Sequence, residues 1–315
     1  MPGSVVGATE ADGYRSLLFS IAYGMTGSVG DAEDIVQDAF LGLTRARRAG
    51  TPVANLKAYL TTAVTRLGIN HLSSARVRRE TYVGDWLPEP VVVSADRPGP
   101  AEHVELSDSL SMAFLVLLEA LSPVERAVFV LREVFGYGYP EVARITGKTE
   151  ANCRQIFARA RKRIGSGGQR ADNPPPALRA ESEELARKFF AAAEGGDMAA
   201  LLDMLAPDVV FHGDGGGKAR AIARSITEPR PVAQLLVGGL RRVGRLGALL
   251  TAARVNGRPG GVIHDAEGRV ATVIELDIAD GRIRAIRAVS NPDKLEHLGP
   301  VSDIGRLPER HPAGP

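Results

Sequence analysis

Between residues 149 and 163 the chain repeats polar and basic side chains at intervals that place them on the outer side of a helix. Such side chains can bind DNA, because arginine and glutamine hydrogen-bond to base edges in the major groove while lysine and arginine contact phosphates. An ordinary solvated basic helix would carry a similar charge. The candidate DNA-binding residues are Thr149, Glu150, Arg154, Gln155, Arg159, Lys162 and Arg163.

A helix-turn-helix over residues 139–164 would position these side chains. Its spacing requires a small residue where the two helices cross, a glycine in the turn and apolar residues that anchor the second helix. Ala143, Gly147, Cys153 and Ile156 meet these requirements. Glycine suits the turn because a left-handed backbone is costly for other residue types. Cys153 is expected to pack and not to react, since its helical phase points inward.

A second polar cluster lies in the sequence DAEDIVQDAF, residues 31–40, on a helix whose other face is apolar. Acidic residues in a first helical turn commonly complement the helix dipole, so the residues alone leave their role open. This helix is the second of three amphipathic segments before residue 80, which together predict a small bundle. Asp31 and Asn55 stand at plausible N-cap positions of the second and third helices. The cluster consists of Asp31, Glu33, Asp34, Gln37 and Asp38.

The C-terminal part contains two weaker candidates for chemistry. The sequence DGGGK at 214–218 fails as a phosphate-binding loop, because His212 stands where a glycine is needed and Ala219 where a hydroxyl is needed. We therefore reject nucleotide binding and expect a tight turn or a close backbone approach at the rim of the domain, with Asp214 and Lys218 available for salt bridges. His212 and Asp214 could form an acid–base pair only if their strand continues between them, so catalysis is not expected.

Breaks in periodicity divide the chain into domains. The expected fold class is multidomain: two all-α domains, a three- to four-helix bundle and a helix-turn-helix bundle, followed by an α+β cone. In the cone, helices precede an antiparallel meander in which Asp280-Gly281 forms a hairpin turn. The predicted divisions are a helical domain 10–80, a linker 81–104, a helix-turn-helix domain 105–165, a linker 166–177, the cone 178–298 and a flexible tail 299–315.

Composition restricts which classes of protein and which kinds of site are compatible with the sequence. The 315 residues are 44% hydrophobic with a formal net charge of +2, so nucleic-acid affinity must come from a local concentration of cations. The single cysteine excludes an internal disulfide and a zinc site with paired thiolates, and we expect no metal and no other cofactor. Without a recognisable signal peptide or a long apolar run, the expected location is cytoplasmic, with no membrane contact.

The acidic helix and the helix-turn-helix together resemble extracytoplasmic-function sigma factors, over about the first 165 residues. The resemblance implies that the acidic cluster docks on the coiled coil of the largest subunit of core RNA polymerase, and that the helix-turn-helix reads the upstream promoter element. It also implies that residues 48–76 capture unstacked bases of the downstream element, where stacking and cationic contacts hold melted strands. The polar candidates there are Asn55, Lys57, Arg66, Asn70, His71 and Arg76.

Three short motifs narrow the resemblance to the SigJ type of sigma factor, which carries a SnoaL-like C-terminal domain. They are WLPEP at 86–90, DGGGK at 214–218 and NPDKL at 291–295. Each is weak alone, but the three in this order are specific, and the resemblance then covers nearly the whole chain. It implies that the SnoaL-like α+β domain regulates the sigma factor in cis. The candidate regulatory residues are Trp86, Pro88, Asp214, Lys218, Asn291, Asp293 and Lys294.

The resulting hypothesis is a non-enzymatic sigma factor whose partners are core RNA polymerase and promoter DNA, with an unknown small-molecule ligand of the C-terminal domain as a further candidate. One alternative is a one-component regulator, in which the helix-turn-helix binds an operator and the cone senses a ligand; the acidic helix argues against it. A second is an enzyme of the polyketide-cyclase type, which the acid–base geometry disfavours.

Overall fold

The computed structural model describes residues 11–79, 82–93, 110–165, 176–219 and 224–304, with only the backbone at 75–79 and 176. These residues form two compact units. The first combines residues 11–79 with 110–165, and the second combines residues 82–93 with the described residues from 176 onwards. Half of the first predicted linker (81 and 94–104), most of the second (166–175) and the predicted tail beyond residue 304 lie outside the described residues.

Three helices open the first unit, as predicted: α1 (Arg15–Thr26), α2 (Val29–Arg48) and α3 (Leu56–Arg79). Asn55 caps α3, because its side chain accepts a hydrogen bond from the Ala58 backbone N–H at 2.9 Å. The prediction of Asp31 as the cap of α2 is wrong. Ser28 caps that helix and accepts a hydrogen bond from the Asp31 N–H at 3.1 Å, which leaves the Asp31 carboxylate for other partners.

The second half of this unit contains the predicted helix-turn-helix. Gly147 has a φ of 69° and ends one helix of the pair, while Cys153 and Ile156 on the other helix are buried. Ser122 and Glu125 form a capping box that begins an earlier helix. The elements are α4 (Met112–Leu118), α5 (Pro123–Phe129), a π-helical turn (Val130–Val134), α6 (Tyr139–Thr146) and α7 (Glu150–Ile164).

The two helical halves of this unit pack against each other. Arg126 of α5 is only 3% exposed, and its Nη1 donates to the Met25 carbonyl of α1 at 2.7 Å. The same nitrogen lies 2.8 Å from a carboxylate oxygen of Glu119. A buried guanidinium needs such partners, because an unpaired charge in an apolar interior is strongly unfavourable. Helix α6 also contacts α3.

The second unit is an α+β domain, as expected. Helices α8 to α10 pack on one face of a sheet, around a core that includes Phe189, Leu201, Val232, Leu276 and Ile286. The helices are α8 (Pro176–Gly195), α9 (Met198–Met204) and α10 (Pro229–Gly244). The strands are β1 (Val92–Val93), β2 (Leu205–Asp214), β3 (Ile226–Thr227), β4 (Leu249–Val255), β5 (Arg258–His264), β6 (Val270–Ala279) and β7 (Arg282–Val289), followed by short 3-10 turns at Pro292–Lys294 and Glu296–Leu298.

The sheet order is β1-β4-β5-β6-β7-β2-β3. Strands β4 to β7 form the predicted antiparallel meander, and Asp280 and Gly281 take the positive φ angles of a hairpin turn. Two features were not predicted from the sequence. Strand β2 runs parallel to β7, and β1, which belongs to the predicted linker, pairs antiparallel with β4.

Candidate functional site

Helix α7 exposes a polar face that carries three of the predicted DNA-binding residues. Gln155, Arg159 and Lys162 are exposed and lie within roughly 60° of one another around the helix axis, at about 100° per residue. Thr149 caps the helix, because its hydroxyl accepts a hydrogen bond from the Asn152 N–H at 3.2 Å. The structure therefore brings these three side chains onto one surface, which begins at a well-formed helix start.

Two other predicted residues lie on the flanks of this surface. Arg154 forms an ion pair with Glu150 at 3.2 Å, and its guanidinium carbon lies 5.0 Å from the centre of the Tyr139 ring. Both members of the Arg154 pair remain about half exposed. Arg163 turns towards α5 and pairs with Glu125 at 2.7 Å.

The ion pair of Arg163 involves Glu125, which is part of the capping box of α5. Burial alone would raise the pKa of the Glu125 carboxyl group. Hydrogen bonds from Ser122 and the charge of Arg163 outweigh burial, so the pKa lies below its ordinary value. Arg163 is thus engaged in holding a helix start, although its side chain is about half exposed.

The acidic cluster of α2 divides into an exposed part and a bound part. Glu33, Asp34, Gln37 and Asp38 are exposed, on the side opposite the buried apolar residues of the helix. Asp31 is half-buried and lies 3.1 Å from Nε2 of His71 on α3. The Asp31–His71 contact therefore connects the candidate polymerase-binding helix with the candidate promoter-binding helix.

On α3 the predicted promoter-binding residues do not share one face. Arg66 and Asn70 are exposed neighbours one turn apart, whereas Lys57 lies on roughly the opposite side of the helix. Nε of Arg66 donates to the Ile145 carbonyl of α6 at 3.2 Å. Asn55 is the cap described above, and the side chain of Arg76 lies outside the described residues.

The three short motifs meet around Asp214, in a group we name the Asp214 cluster: Tyr82, Leu87, Asp214, Asn291 and Lys294. Oδ2 of Asp214 accepts hydrogen bonds from the Leu87 N–H at 2.8 Å and from Nζ of Lys294 at 2.6 Å. Its Oδ1 accepts from the Tyr82 hydroxyl and from the Gly216 N–H at 3.1 Å. Asp214 is fully buried, so each of these donors compensates for the loss of water around the carboxylate.

Lys294 completes the cluster. Its ammonium group also donates to the Leu87 carbonyl, and it lies 4.7 Å from the ring centre of Tyr82 and 4.5 Å from that of Trp86. A cation over aromatic faces is favourable, more so when it is shielded from water. Burial, and then the hydrogen bond to Asp214, raises the pKa of the Tyr82 phenol, so the hydroxyl stays protonated and donates.

Further bonds fasten the segment 82–93 along its length. Asn291 donates from Nδ2 to the Tyr82 hydroxyl at 2.9 Å. The Val91 N–H donates to Oδ1 of Asn256 at 3.0 Å, and Nε2 of His297 lies 2.8 Å from the Pro90 carbonyl oxygen. The predicted linker between the two helical domains is therefore, over these residues, an ordered part of the C-terminal unit.

The remaining predicted regulatory residues lie close to the cluster. Pro88 is buried, and Lys218 pairs with Asp293 at 2.6 Å on the surface. Sequence reasoning missed Tyr82, Asn256 and His297. Each is more than 130 residues away in sequence from the groups it bonds, and none belongs to a motif, so no local signal could have found them.

His212 and Asp214 do not form an acid–base pair, in agreement with the expectation from the sequence. Strand β2 does continue past position 213, and it places His212 and Asp214 on the same side, but each has its own partner. Nδ1 of His212 lies 3.1 Å from Asp85, whereas Asp214 binds Lys294. A cavity of this unit, between α10 and the sheet, is lined by Phe211 and Gly213, which alternate with His212 and Asp214 along β2 and so lie on its other side.

The described residues form neither a metal site nor a membrane-spanning helix. In that part of the chain, no group of three His, Cys, Asp or Glu side chains is arranged to hold a metal ion. Nor does any helix there combine the length and the apolar character needed to cross a bilayer.

Comparison with known families matches both helical domains. The Sigma-70 region 2 model matches residues 11–78, which contain α1 to α3. The Sigma-70 region 4 model matches residues 111–164, which contain the helix-turn-helix. The candidate surfaces on α2, α3 and α7 thus lie inside the matched ranges.

Whole-chain relatives extend the match through the C-terminal unit. The ECF RNA polymerase sigma factor SigJ of Mycobacterium tuberculosis is 37% identical over 295 residues, which cover 91% of this chain and 92% of that protein. The probable ECF RNA polymerase sigma factor SigI of the same species is 32% identical, over 90% of this chain and 93% of its own length.

A solved structure agrees with these relatives. The crystal structure of the M. tuberculosis extracytoplasmic function sigma factor SigJ superposes with a TM-score of 0.72 at 34% identity, covering 92% of this chain and 98% of that one. None of these matches supports the one-component regulator. This chain belongs to the extracytoplasmic-function RNA polymerase sigma factors, and its function is promoter-directed initiation of transcription.

Proposed function

We propose that the exposed acidic face of α2 binds core RNA polymerase, while α3 holds the melted downstream element and α7 reads the duplex upstream element. The observation that carries this proposal is the division of α2 into a buried apolar face and an exposed face with Glu33, Asp34 and Asp38. The apolar face of α2 packs inside the unit, and the Asp34 and Asp38 side chains are exposed on the opposite side, where a basic partner can approach them. Electrostatic complementarity of this kind sets specificity and association rate.

The surface of α7 supports the DNA-binding part of the proposal. Gln155, Arg159 and Lys162 are exposed on one face of a helix whose opposite face anchors it in the helix-turn-helix. A helix of this kind places its N-terminal residues against base edges and its later cations against phosphates. Arg154 lies at the edge of this face, where its pairing with Glu150 orients the guanidinium.

The C-terminal unit, in this proposal, regulates the sigma factor in cis through the segment 82–93. That segment lies in the chain between the two helical domains, which must bind two promoter elements at a set spacing. The Asp214 cluster holds it by buried polar contacts, which are specific and costly to break. A change in the cluster would therefore alter how firmly the segment 82–93 is held to the C-terminal unit.

No enzymatic role is proposed for the C-terminal unit. The two side chains best suited to proton transfer, His212 and Asp214, face the segment 82–93 and not the cavity. General acid–base catalysis needs the group within hydrogen-bonding reach of the reacting atom. The partners in this proposal are core RNA polymerase and promoter DNA.

The polymerase-binding surface is tested by charge reversal. We expect Asp34→Arg with Asp38→Arg to weaken binding to core polymerase by about 1–3 kcal/mol, since two attractive contacts become repulsive. The double variant Glu181→Arg with Glu194→Arg is the matched control, because it changes the same charge at exposed positions of α8. Binding of labelled full-length chain to purified core RNA polymerase measures both. Equal binding by the two double variants would contradict the proposed surface.

The DNA-binding surface is tested by comparing alanine substitutions at two arginines of α7. Arg154→Ala is expected to weaken recognition of the upstream element by about 1–3 kcal/mol, if the guanidinium makes a bidentate base contact. Arg163→Ala removes the same charge from a residue engaged with Glu125, and should change recognition much less. Transcription by the reconstituted holoenzyme from promoters with single-base changes reports both affinity and selectivity. Unchanged selectivity in Arg154→Ala would remove Arg154 from the interface.

A further inference from the structure

A cavity of about 170 Å³ opens between α10 and the sheet of the C-terminal unit. Its walls are mainly apolar, with Phe211, Leu236, Leu240, Ile263 and Ile274 among them, and every lining side chain is uncharged. An apolar cavity of about 150 Å³ in another protein stays dry and accepts benzene. The volume therefore suits a molecule of about one ring.

A gap in one row of α10 side chains creates the opening. Leu235, Gly239 and Val243 are spaced by four residues, so they lie above one another on the helix face that borders the cavity. Gly239 is exposed, and a Cβ added there would meet no atom within 4 Å. Glycine inside a helix is unfavourable relative to alanine. The missing side chain at this position keeps the cavity open.

One polar feature lines the cavity. The hydroxyls of Thr272 on β6 and Ser290 after β7 lie 2.9 Å apart, and both residues are half-buried. One hydroxyl donates to the other, so the pair retains one hydrogen and several lone pairs. Within the part of the chain that the structure describes, these side chains have no other hydrogen-bond partner. The pair can therefore bind a single hydroxyl or carbonyl group.

We propose that this cavity binds a neutral, ring-sized molecule that carries one hydroxyl or carbonyl group. The apolar walls hold the ring, and the Thr272–Ser290 pair binds the polar group and sets the orientation. A carboxylate or ammonium ligand is disfavoured, because a charge would lose its water without meeting an opposite charge. This inference deepens the regulatory role proposed for the C-terminal unit.

Calorimetric titration of the full chain with phenol, toluene and benzoate tests the proposal. Saturable binding is expected for phenol, weaker binding for toluene and none for benzoate. Gly239→Leu should weaken phenol binding by about tenfold or more, because the new side chain fills the gap. Gly238→Leu is the control, since Gly238 is the adjacent exposed helix residue, does not line the cavity and gains the same helix propensity. Its phenol affinity should stay within about twofold.

The hydroxyl pair is tested separately. Thr272→Val keeps the shape of the side chain and removes its hydroxyl. The variant should therefore bind phenol about fivefold more weakly or worse, while its affinity for toluene stays unchanged. The proposal is overturned if phenol does not saturate the native chain, if benzoate binds as well as phenol, or if the two glycine variants behave alike. No polymerase is present in these titrations, so their failure is distinguishable from failure of the transcription assays above.

Discussion

Lys294→Met is expected to destabilise the C-terminal unit by about 3–5 kcal/mol, because it leaves the Asp214 carboxylate buried without its cation. Lys218→Met is a closely matched control. Both lysines lie 2.6 Å from an aspartate oxygen, but Lys294 and Asp214 are 9% and 0% exposed, whereas Lys218 and Asp293 are 59% and 55% exposed. The exposed pair should contribute at most about 1 kcal/mol, since water already screens both charges.

Urea denaturation of the full chain measures the stability difference between these two variants. Hydrogen exchange at the Leu87 amide reports the segment 82–93 directly, because that N–H donates to Asp214. Removing both charges, with Asp214→Asn added to Lys294→Met, should recover part of the loss, since no unpaired charge then remains buried. Similar losses in Lys294→Met and Lys218→Met would show that burial of the Asp214 cluster does not determine its strength.

Gly216→Ala is expected to cost more stability than Gly217→Ala, by about 1–3 kcal/mol. Both glycines have left-handed backbone, with φ of 57° and 70°, so alanine carries a similar conformational cost of about 1–2 kcal/mol at each. They differ in what a Cβ would meet. At Gly216 it would lie 2.3 Å from Nδ2 of Asn291, whereas at Gly217 the nearest atom is Cβ of Val83 at 3.4 Å.

The same denaturation assay compares the two alanine variants. Adding Asn291→Ala to Gly216→Ala should give a total loss smaller than the sum of the single losses, because the clash disappears with the asparagine side chain. Strictly additive losses, or equal losses at Gly216 and Gly217, would contradict a close approach of the DGGGK turn to NPDKL. The comparison therefore separates the effect of the contact between the DGGGK and NPDKL motifs from the effect of backbone strain within DGGGK.

Local sequence patterns were sufficient to predict the helices of the first unit. The apolar stripes of α1 to α3 depend on residues spaced within one or two turns of chain, so the sequence alone predicts these helices. The turn at Asp280-Gly281 was predicted for the same reason, since its residues themselves tolerate the positive φ angles. The one cap predicted wrongly, Asp31, was a choice between neighbouring residues that are both good caps.

By itself the sequence determined the helical domains, the polar faces of α2 and α7 and the three motifs, because each depends on spacing within a short stretch. Only the tertiary structure decided that the motifs meet at Asp214, that β1 joins the sheet and that His212 and Asp214 turn away from the cavity. These outcomes depend on pairing between residues about 80 to 210 positions apart. The physical reason is that a buried carboxylate must find its donors wherever the fold brings them, and no local pattern specifies which ones those are.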